Sequence, residues 1–331
     1  MMMEANCRYI NVLKGLLIVL VVIGHFGQTI ANNLPNSVAF LGQGIVLFIY
    51  LFHMPMFLFI SGYLSKNEEK RRQKAFGDLF IPYLFFQAFV GICLLVLTKS
   101  GGVLRNIFVP QMGAWYLLTL FSYRLVLPEV KRIRGILIVG ALISIFACLG
   151  SFDGDFAIKK TLGFFVYFVA GYKFSDLPRK LIPSWLARGG VAITAVLFFA
   201  ISYKTDWYAD VLSVLSRGAD IDSFSHWYLA PLYYAGALIS AIAVIFLVLH
   251  AVPEKCAWLE KQGTDTMPMY LSHLILFMAV GYLVNKNNWI LTVVVSVLGI
   301  LASLAIFSSG WYRKVFNRLI GGVKKALLRE D

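Results

Sequence analysis

Long apolar windows, each bounded by charged residues or by Gly, Pro and Asn, dominate the pattern of the 331-residue chain. An apolar run of about 18 or more residues can cross roughly 30 Å of hydrocarbon as an α-helix. The pattern therefore predicts an all-α, polytopic integral membrane protein with ten transmembrane helices, although the fourth to seventh windows are short and two of them could merge. The predicted spans are 10–31, 39–64, 79–98, 113–127, 134–150, 158–173, 190–203, 226–250, 266–285 and 289–309.

The composition agrees with this pattern and excludes a soluble globular enzyme. The chain is 59% hydrophobic and 14% charged, whereas soluble domains are about 45–50% apolar and about 25% charged. We find no internal repeat and no linker, so residues 1–310 are predicted to form one membrane-embedded domain. The four cysteines are scattered and lie at no metal-binding spacing, so we expect neither disulfides nor a metal site.

The C-terminal segment 311–331 is predicted to be a basic amphipathic cytoplasmic tail. Helical spacing places its apolar residues on one face and Arg and Lys residues on the other. Such a helix would lie in the plane of the inner leaflet. The apolar face comprises Trp311, Val315, Leu319, Val323 and Leu327.

The distribution of charge predicts the orientation. With both termini in the cytoplasm, 23 of the 30 Lys and Arg residues fall on the inner side, which leaves net charges of +12 inside and +1 outside. This asymmetry strongly favours that orientation and gives no support to nucleic-acid binding. No Asp or Glu lies within a predicted span, which counts against a proton-coupled or cation-coupled transporter.

Four ionisable side chains remain at predicted membrane depth, namely Lys14, His25, His53 and His273. Histidine can accept a proton near neutral pH, so the three histidines are candidates for chemistry. Lys14 and His25 share one helical stripe, about 16 Å apart along the axis, and Asn11 joins it. This stripe suits a donor that enters from the cytoplasm with its anionic part near Lys14. Alternatively, Lys14 snorkels to the interface and His25 bonds a neighbouring carbonyl.

The remaining candidates lie at helix ends or beside Pro and Gly. His53 precedes Pro55, which predicts a helix break beside a cavity, although His53 could merely satisfy the break. Ser61 adjoins Gly62 and could be a packing residue. Tyr270 and His273 face the same way at i,i+3 spacing, with a tertiary contact as the alternative role.

Two further features have a functional and an ordinary interpretation. Trp115 begins the fourth span and could be an interfacial anchor. The basic loop between the second and third spans could bind the phosphates of a nucleotide-like ligand or could only set the topology. Its candidate phosphate ligands are Lys70, Arg71 and Arg72.

Taken together, these segments resemble the acyltransferase-3 family of integral-membrane O-acyltransferases, in particular its fucose 4-O-acetylase-like branch. The resemblance extends from about residue 8 to residue 310. It rests on Lys14 with His25, Phe52-His53-Met54-Pro55, Ser61-Gly62-Tyr63, Ile81-Pro82-Tyr83, Trp115-Tyr116-Leu117 and Tyr270-Leu271-Ser272-His273.

The resemblance implies a multi-pass enzyme of the bacterial inner (plasma) membrane. Such an enzyme transfers an acyl group, commonly acetyl, from cytoplasmic acyl-CoA to a hydroxyl of a cell-envelope saccharide or lipid-linked glycan. It uses no metal. His25 corresponds to the essential histidine of the family, Lys14 to its basic partner and His53 to the histidine of its second motif. The wider family has Arg where Lys14 stands, and Asn11 replaces a frequent Asp.

The residues assigned to this expected reaction are His25 as general base, Lys14 holding or polarising the donor, and His53 as oxyanion donor or second proton carrier. An acyl-histidine intermediate is an alternative to direct transfer. CoA phosphates are assigned to the basic loop, and the outer segment Tyr203–Tyr228 could meet the acceptor. Candidate substrate-binding residues are Asn11, Ser61, Trp115, Tyr270 and His273. The alternative function is a transporter or flippase of envelope precursors.

Overall fold

A computed structural model describes residues 2–98, 109–150, 155–178, 181–203, 205–218, 224, 226–284 and 288–328. Within these ranges the protein is an all-α bundle, as the sequence predicts, and the chain is a multi-pass membrane protein. Its helices are α1 (Met2–Ala31), α2 (Asn36–Tyr63), α3 (Glu68–Ala75), α4 (Ile81–Thr98), α5 (Trp115–Val130), α6 (Ile136–Phe146), α7 (Ile158–Lys173), α8 (Ser184–Tyr203), α9 (Thr205–Leu215), α10 (Ala230–Ala251), α11 (Ala257–Gly263), α12 (Met267–Leu283), α13 (Trp289–Ile306) and α14 (Gly310–Leu327).

Each of the ten predicted spans contains a helix. Among the described residues, six helices are long and apolar enough to cross a membrane by themselves: Asn6–Ala31, Asn36–Tyr63, Glu68–Cys93, Ser184–Tyr203, Trp227–Ala251 and Trp289–Ile306. The helices α6 and α12 are apolar but shorter, and α5 and α7 have 16 residues each. The count of ten spans stays a prediction.

The basic loop and the start of the third span differ from the prediction, because this segment is helical. Asn67 caps α3, its side chain accepting a hydrogen bond from the backbone N–H of Lys70 at 3.2 Å. Two glutamates follow in the first turn, where the helix dipole favours negative charge. A π-helical turn, Phe76–Phe80, then joins α3 to α4. The third span therefore continues a helix that begins at Glu68 and not near residue 79.

The predicted break beside His53 is wrong. Helix α2 continues through Pro55 as one element. Proline removes one backbone hydrogen bond, but a helix enclosed by neighbours can absorb that loss, and the residues around Pro55 are buried. His53 accordingly lies on a continuous helix in the bundle interior, 4% exposed.

The bundle centre depends on backbone-to-backbone contact between helices. Gly62 of α2 and Gly171 of α7 face each other so closely that an added Cβ on either would overlap a carbonyl oxygen of the other helix. Gly15 of α1 and Gly263 of α11 form a second such pair. Small residues allow this approach in membrane bundles, where packing stabilises helix association. These pairs hold α2 against α7 and α1 against α11.

Contacts at one end of the bundle join segments that the charge distribution assigns to the inner side. Lys131 pairs with Glu68, which raises the pKa of Lys131. Lys324 Nζ lies 2.9 Å from Asp78 Oδ1. Arg188 Nε donates to the carbonyl oxygen of Ala251 at 3.2 Å. These contacts join α3 to the end of α5, the π-helical turn to α14 and α8 to the end of α10, and the sides of the membrane on which the termini lie stay a prediction.

The predicted tail forms α14, and its apolar side chains divide between two environments. Phe316 and Ile320 pack into the bundle. Trp311, 71% exposed, and Leu319, 50% exposed, point away from it. An exposed apolar face between basic residues suits insertion into the inner leaflet. Arg313 Nη2 also donates to the carbonyl oxygen of Lys261 at 2.7 Å, which connects the tail to α11.

We predict that Gly171→Ala destabilises the protein by about 1–3 kcal/mol, the range for forced overpacking, because the new methyl overlaps the α2 backbone. Gly189→Ala on the exposed α8 surface is the matched control, since nothing lies within 4 Å of its added Cβ. Thermal unfolding in detergent measures both variants. Equal midpoints for Gly171→Ala and the wild type would refute the close-packing argument.

Candidate functional site

A cavity of about 320 Å³ lies between α1, α2, α5, α7 and α12. It collects polar side chains that lie far apart in the sequence, and no described carboxylate lines it. The polar groups at its walls are therefore neutral or cationic. They include His25, Gln28, Tyr50, His53, Lys160 and Tyr270.

His25 reaches this cavity from α1 and is held from behind by α12. Its Nδ1 atom lies 2.8 Å from Nε2 of His273, and the two rings stack with centroids 5.0 Å apart. His273 is completely buried and does not line the cavity. Its other nitrogen, Nδ1, lies 2.9 Å from the carbonyl oxygen of Met269. The Phe277 ring packs 5.6 Å from the His25 ring and further restricts it.

His53 reaches the same cavity from α2. Its Nδ1 atom lies 2.7 Å from the carbonyl oxygen of Ile49, one turn earlier in the helix. The ring packs edge-on against Tyr50, whose hydroxyl donates to Oε1 of Gln28 at 3.3 Å. The intact helix thus orients His53, and α1 and α2 together present two histidines to one space.

A lysine and a tryptophan form another wall of the cavity. Lys160 Nζ lies 5.2 Å from the centroid of the Trp115 ring, a cation–π distance. Trp115 stacks on Phe164 with centroids 5.4 Å apart. The sequence placed Trp115 at the start of a span, and the structure puts it at the cavity wall.

Tyr270 and Ser61 are connected through Tyr116. The Tyr270 hydroxyl donates to the carbonyl oxygen of Gly113, which ties α12 to the segment before α5. The Tyr270 ring lies 5.5 Å from Tyr116, whose hydroxyl is 2.8 Å from Ser61 Oγ. Tyr270 lines the cavity, whereas Ser61 supports the adjacent ring without lining it.

Lys14 and Asn11 do not line this cavity. They lie near the other end of α1, about 16 Å from His25 along the helix axis. Lys14 Nζ is 3.4 Å from Asn11 Oδ1, as their shared stripe predicts. Asp265 and Arg313 are close enough to interact electrostatically with the Lys14 ammonium. Partial burial lowers the pKa of Arg313, and Asp265 opposes that effect.

The basic helix α3 also lies away from the histidines. Lys70 and Arg72 are exposed and Arg71 is partly buried. Arg71 interacts electrostatically with Arg124, which lines a second cavity of about 420 Å³. Within the described part of the chain, Arg124 Nε is buried and has no hydrogen-bond partner. This second cavity also contains Asp78, Asp265 and Lys324.

The two cavities lie at different levels of the bundle. The histidine cavity is lined by Gln28, Lys160 and Ser216, which fall at or beyond predicted outer span ends. The second cavity adjoins α14 and the inner end of α5. Under the predicted orientation, the histidines therefore face the outer half of the membrane and Lys14 faces the inner half.

Only part of the outer segment Tyr203–Tyr228 contributes to the histidine cavity. Ser216 lines the histidine cavity and Tyr208 is buried with an unpartnered hydroxyl in the described structure. Trp207 and Trp227 are exposed, as in an interfacial aromatic belt. Residues 204, 219–223 and 225, and the Asp206 side chain, lie outside the described part.

The sequence does not single out Gln28, Tyr50 or Lys160, three polar residues that line the cavity. Gln28 follows His25 by three positions and Tyr50 precedes His53 by three, so helical spacing contained a signal for both. Lys160 was counted only as an outer charge. Nothing in its local sequence distinguishes a lysine that turns inward from one that remains in solvent.

Comparison with known proteins places the chain in a family. A family model described as an acyltransferase domain, Acyl_transf_3, matches residues 8–308. Two relatives are called Nodulation protein NolL. The protein from Sinorhizobium fredii is 40% identical over 94 residues, which are 26% of this chain and 25% of the relative. The protein from Mesorhizobium japonicum is 36% identical over 97 residues, which are 28% of this chain and 24% of the relative.

The matched region spans about a quarter of the length of these curated relatives. No solved structure matches the chain. The family model, in contrast, covers nearly the whole sequence, including the segments that contribute His25, His53 and Lys160 to the cavity. The chain therefore belongs to the acyltransferase-3 family of integral-membrane proteins.

Proposed function

We propose that the protein is a membrane-bound O-acyltransferase that transfers an acyl group, commonly acetyl, from cytoplasmic acyl-CoA to a hydroxyl of a cell-envelope saccharide or glycolipid. One observation carries the proposal in a chain of this family: His25 and His53 line one cavity beside Lys160, without a described carboxylate. This set of groups suits proton removal from a hydroxyl and stabilisation of negative charge.

The reaction needs a base and a charge stabiliser, because the thioester of the donor is already activated. His25 takes the proton of the acceptor hydroxyl as its oxygen attacks the thioester carbonyl. The tetrahedral intermediate then collapses, the carbon–sulfur bond breaks, and the proton passes from His25 to the departing thiolate. The products are an ester and free CoA, and His25 returns to its starting state.

The contacts of His53 and Lys160 favour different roles for them. The Ile49 carbonyl can only accept, so it holds the proton of neutral His53 on Nδ1 and leaves Nε2 as an acceptor. This supports a second proton carrier over an oxyanion donor. Lys160 carries the positive charge suited to the developing oxyanion, in a cavity where charge is weakly screened.

The donor would extend between the two levels of the bundle. Lys14, with the cationic groups of α3 and Arg124, faces the inner side, where the CoA phosphates enter. The acyl group must then reach His25, about 16 Å further along α1. The pantetheine arm of CoA has a comparable extended length. This distance supports a donor that is bound in an extended conformation along α1, with Lys14 beside it.

The acceptor would approach from the outer half of the membrane. Trp115 and Tyr50 offer ring faces suited to a sugar, and Gln28 and Ser216 offer hydrogen-bonding groups. Both relatives come from bacteria, which supports a location in the bacterial inner membrane. The acceptor is then an envelope saccharide or lipid-linked glycan presented at that membrane.

We predict that His25→Ala lowers the rate at which label passes from radiolabelled acetyl-CoA to extracted envelope glycans. The reduction should be at least about 10²-fold, the contribution of a general base. Lys173→Ala is the control, because Lys173 is exposed and does not line the cavity. Purified protein in liposomes provides the assay. Undiminished transfer by His25→Ala would contradict the role of His25, and glycan flux without acyl donor would favour the flippase.

Lys160→Met should lower kcat about 10²- to 10³-fold, as loss of one oxyanion stabiliser does, and Lys160→Arg should retain more activity because it keeps the charge. Lys173→Met, an exposed position at the opposite end of α7, is the control. Steady-state kinetics at saturating acetyl-CoA measure all three. Similar kcat values for Lys160→Met and Lys173→Met would remove Lys160 from the mechanism.

Lys14→Met should raise the KM for acetyl-CoA with less effect on kcat, since Lys14 contacts the donor far from the reacting bond. Lys14→Arg preserves the charge and should lie close to the wild type. Titrating acetyl-CoA at fixed acceptor concentration gives both constants. An unchanged KM for Lys14→Met would contradict the path proposed for the donor.

A further inference from the structure

A row of three groups runs from the backbone of α12 to the cavity. The carbonyl oxygen of Met269 lies 2.9 Å from His273 Nδ1. His273 Nε2 in turn lies 2.8 Å from Nδ1 of His25. His25 lines the cavity, whereas His273 is completely buried behind it. Starting from the Met269 carbonyl, each group in this row therefore restricts which nitrogen of the next ring carries a proton.

The direction of the hydrogen bonds follows from the carbonyl at the start of the row. A carbonyl oxygen only accepts, so Nδ1 of His273 must carry a proton and donate it to Met269. A neutral imidazole has one N–H, so Nε2 of His273 carries a lone pair. The contact with His25 then requires Nδ1 of His25 to donate. Nε2 of His25 is left with its lone pair unused.

Donation from Nδ1 of His25 to His273 requires His273 to be neutral, and the surroundings of His273 favour this state. The ring is 0% exposed and packs from α12 against His25 of α1. Its described contacts are the His25 ring, the Met269 carbonyl and the Tyr270 ring, none of which carries negative charge. A buried cation without a counter-ion is costly, so the neutral ring is the stable form.

We propose that His273 is the positioning residue of the site: it fixes His25 in the Nδ1–H tautomer, so that Nε2 is the atom that receives the proton of the acceptor hydroxyl. The catalytic part of this inference rests on the proposed function. The tautomer itself is a property of the structure and can be measured without turnover.

His273 also stabilises the charged intermediate state of His25. After His25 accepts the hydroxyl proton at Nε2, its Nδ1–H bond to His273 becomes charge-assisted and stronger. The proton then leaves from Nε2 to the thiolate sulfur, and the row returns to its original state. A carboxylate has this orienting role behind the histidine of Ser-His-Asp enzymes. A neutral imidazole avoids placing an anion at membrane depth.

Two variants separate this role from simple packing. His273→Gln keeps an acceptor, because the amide oxygen can reach the position of the imidazole Nε2. His273→Leu places an apolar side chain there and removes the acceptor. Nitrogen-15 NMR of histidine-labelled protein in nanodiscs distinguishes protonated from unprotonated ring nitrogens. The His25 signals are identified by their loss in His25→Ala, and unchanged His53 signals show that the fold is retained.

The expected result is an Nδ1–H tautomer for His25 in the wild type and in His273→Gln, and its loss in His273→Leu. In acetyl transfer, His273→Leu should lose about 10²- to 10⁴-fold in kcat, with little change in the KM for acetyl-CoA. His273→Gln should restore most of that loss. Lys173→Gln, at an exposed position that does not line the cavity, should match the wild type.

An Nε2–H tautomer of His25 in the wild type would overturn the proposal. Equal kcat values for His273→Leu and the wild type would also overturn it. An Nδ1–H tautomer in a wild-type protein that transfers no acetyl group would contradict the proposed function, while supporting the tautomer assignment.

Discussion

Four histidines of the described bundle each have their Nδ1 atom within hydrogen-bonding distance of a backbone carbonyl oxygen or of another histidine ring. His53 and His273 contact the carbonyl oxygen one turn earlier in their own helices, as does His250, and His25 contacts His273. The bilayer interior offers no water to take the place of these partners. Because Nδ1 of His25 and of His53 has its partner inside the bundle, the lone pair of each ring remains on Nε2. The cavity can therefore contain basic groups although no described carboxylate lines it.

The protein separates two kinds of polar chemistry along the membrane normal. Cationic side chains gather at the level of Lys14, Arg124 and α14, beside Asp78 and Asp265. The histidine cavity lies near the opposite ends of the same helices. The close approach at Gly62 and Gly171 holds α2 against α7, and these helices supply His53 and Lys160. The acyl-CoA that we propose as the donor would have to extend between both levels.

Much of the fold could be predicted from the sequence, because apolar windows of membrane length are hard to mistake. Each predicted span contains a helix, but α3, α9 and α11 were missed since they are short and polar or lie between spans. His25 and His53 were found as costly ionisable groups at membrane depth. Lys160 and the His25–His273 contact were not, because they depend on which helices α1 and α2 pack against, and sequence periodicity does not determine tertiary neighbours. His53 was wrongly placed at a break because the proline rule ignores support from surrounding helices.

The central claim is that an acyl donor from the inner face serves a histidine cavity in the outer half of the bundle. Oriented proteoliposomes test it most directly, with radiolabelled acetyl-CoA supplied either to the face bearing α3 and α14 or to the opposite face. With acceptor present on both sides, labelled glycan is expected only in the first case. Equal labelling from both faces, or labelling only from the opposite face, would contradict it.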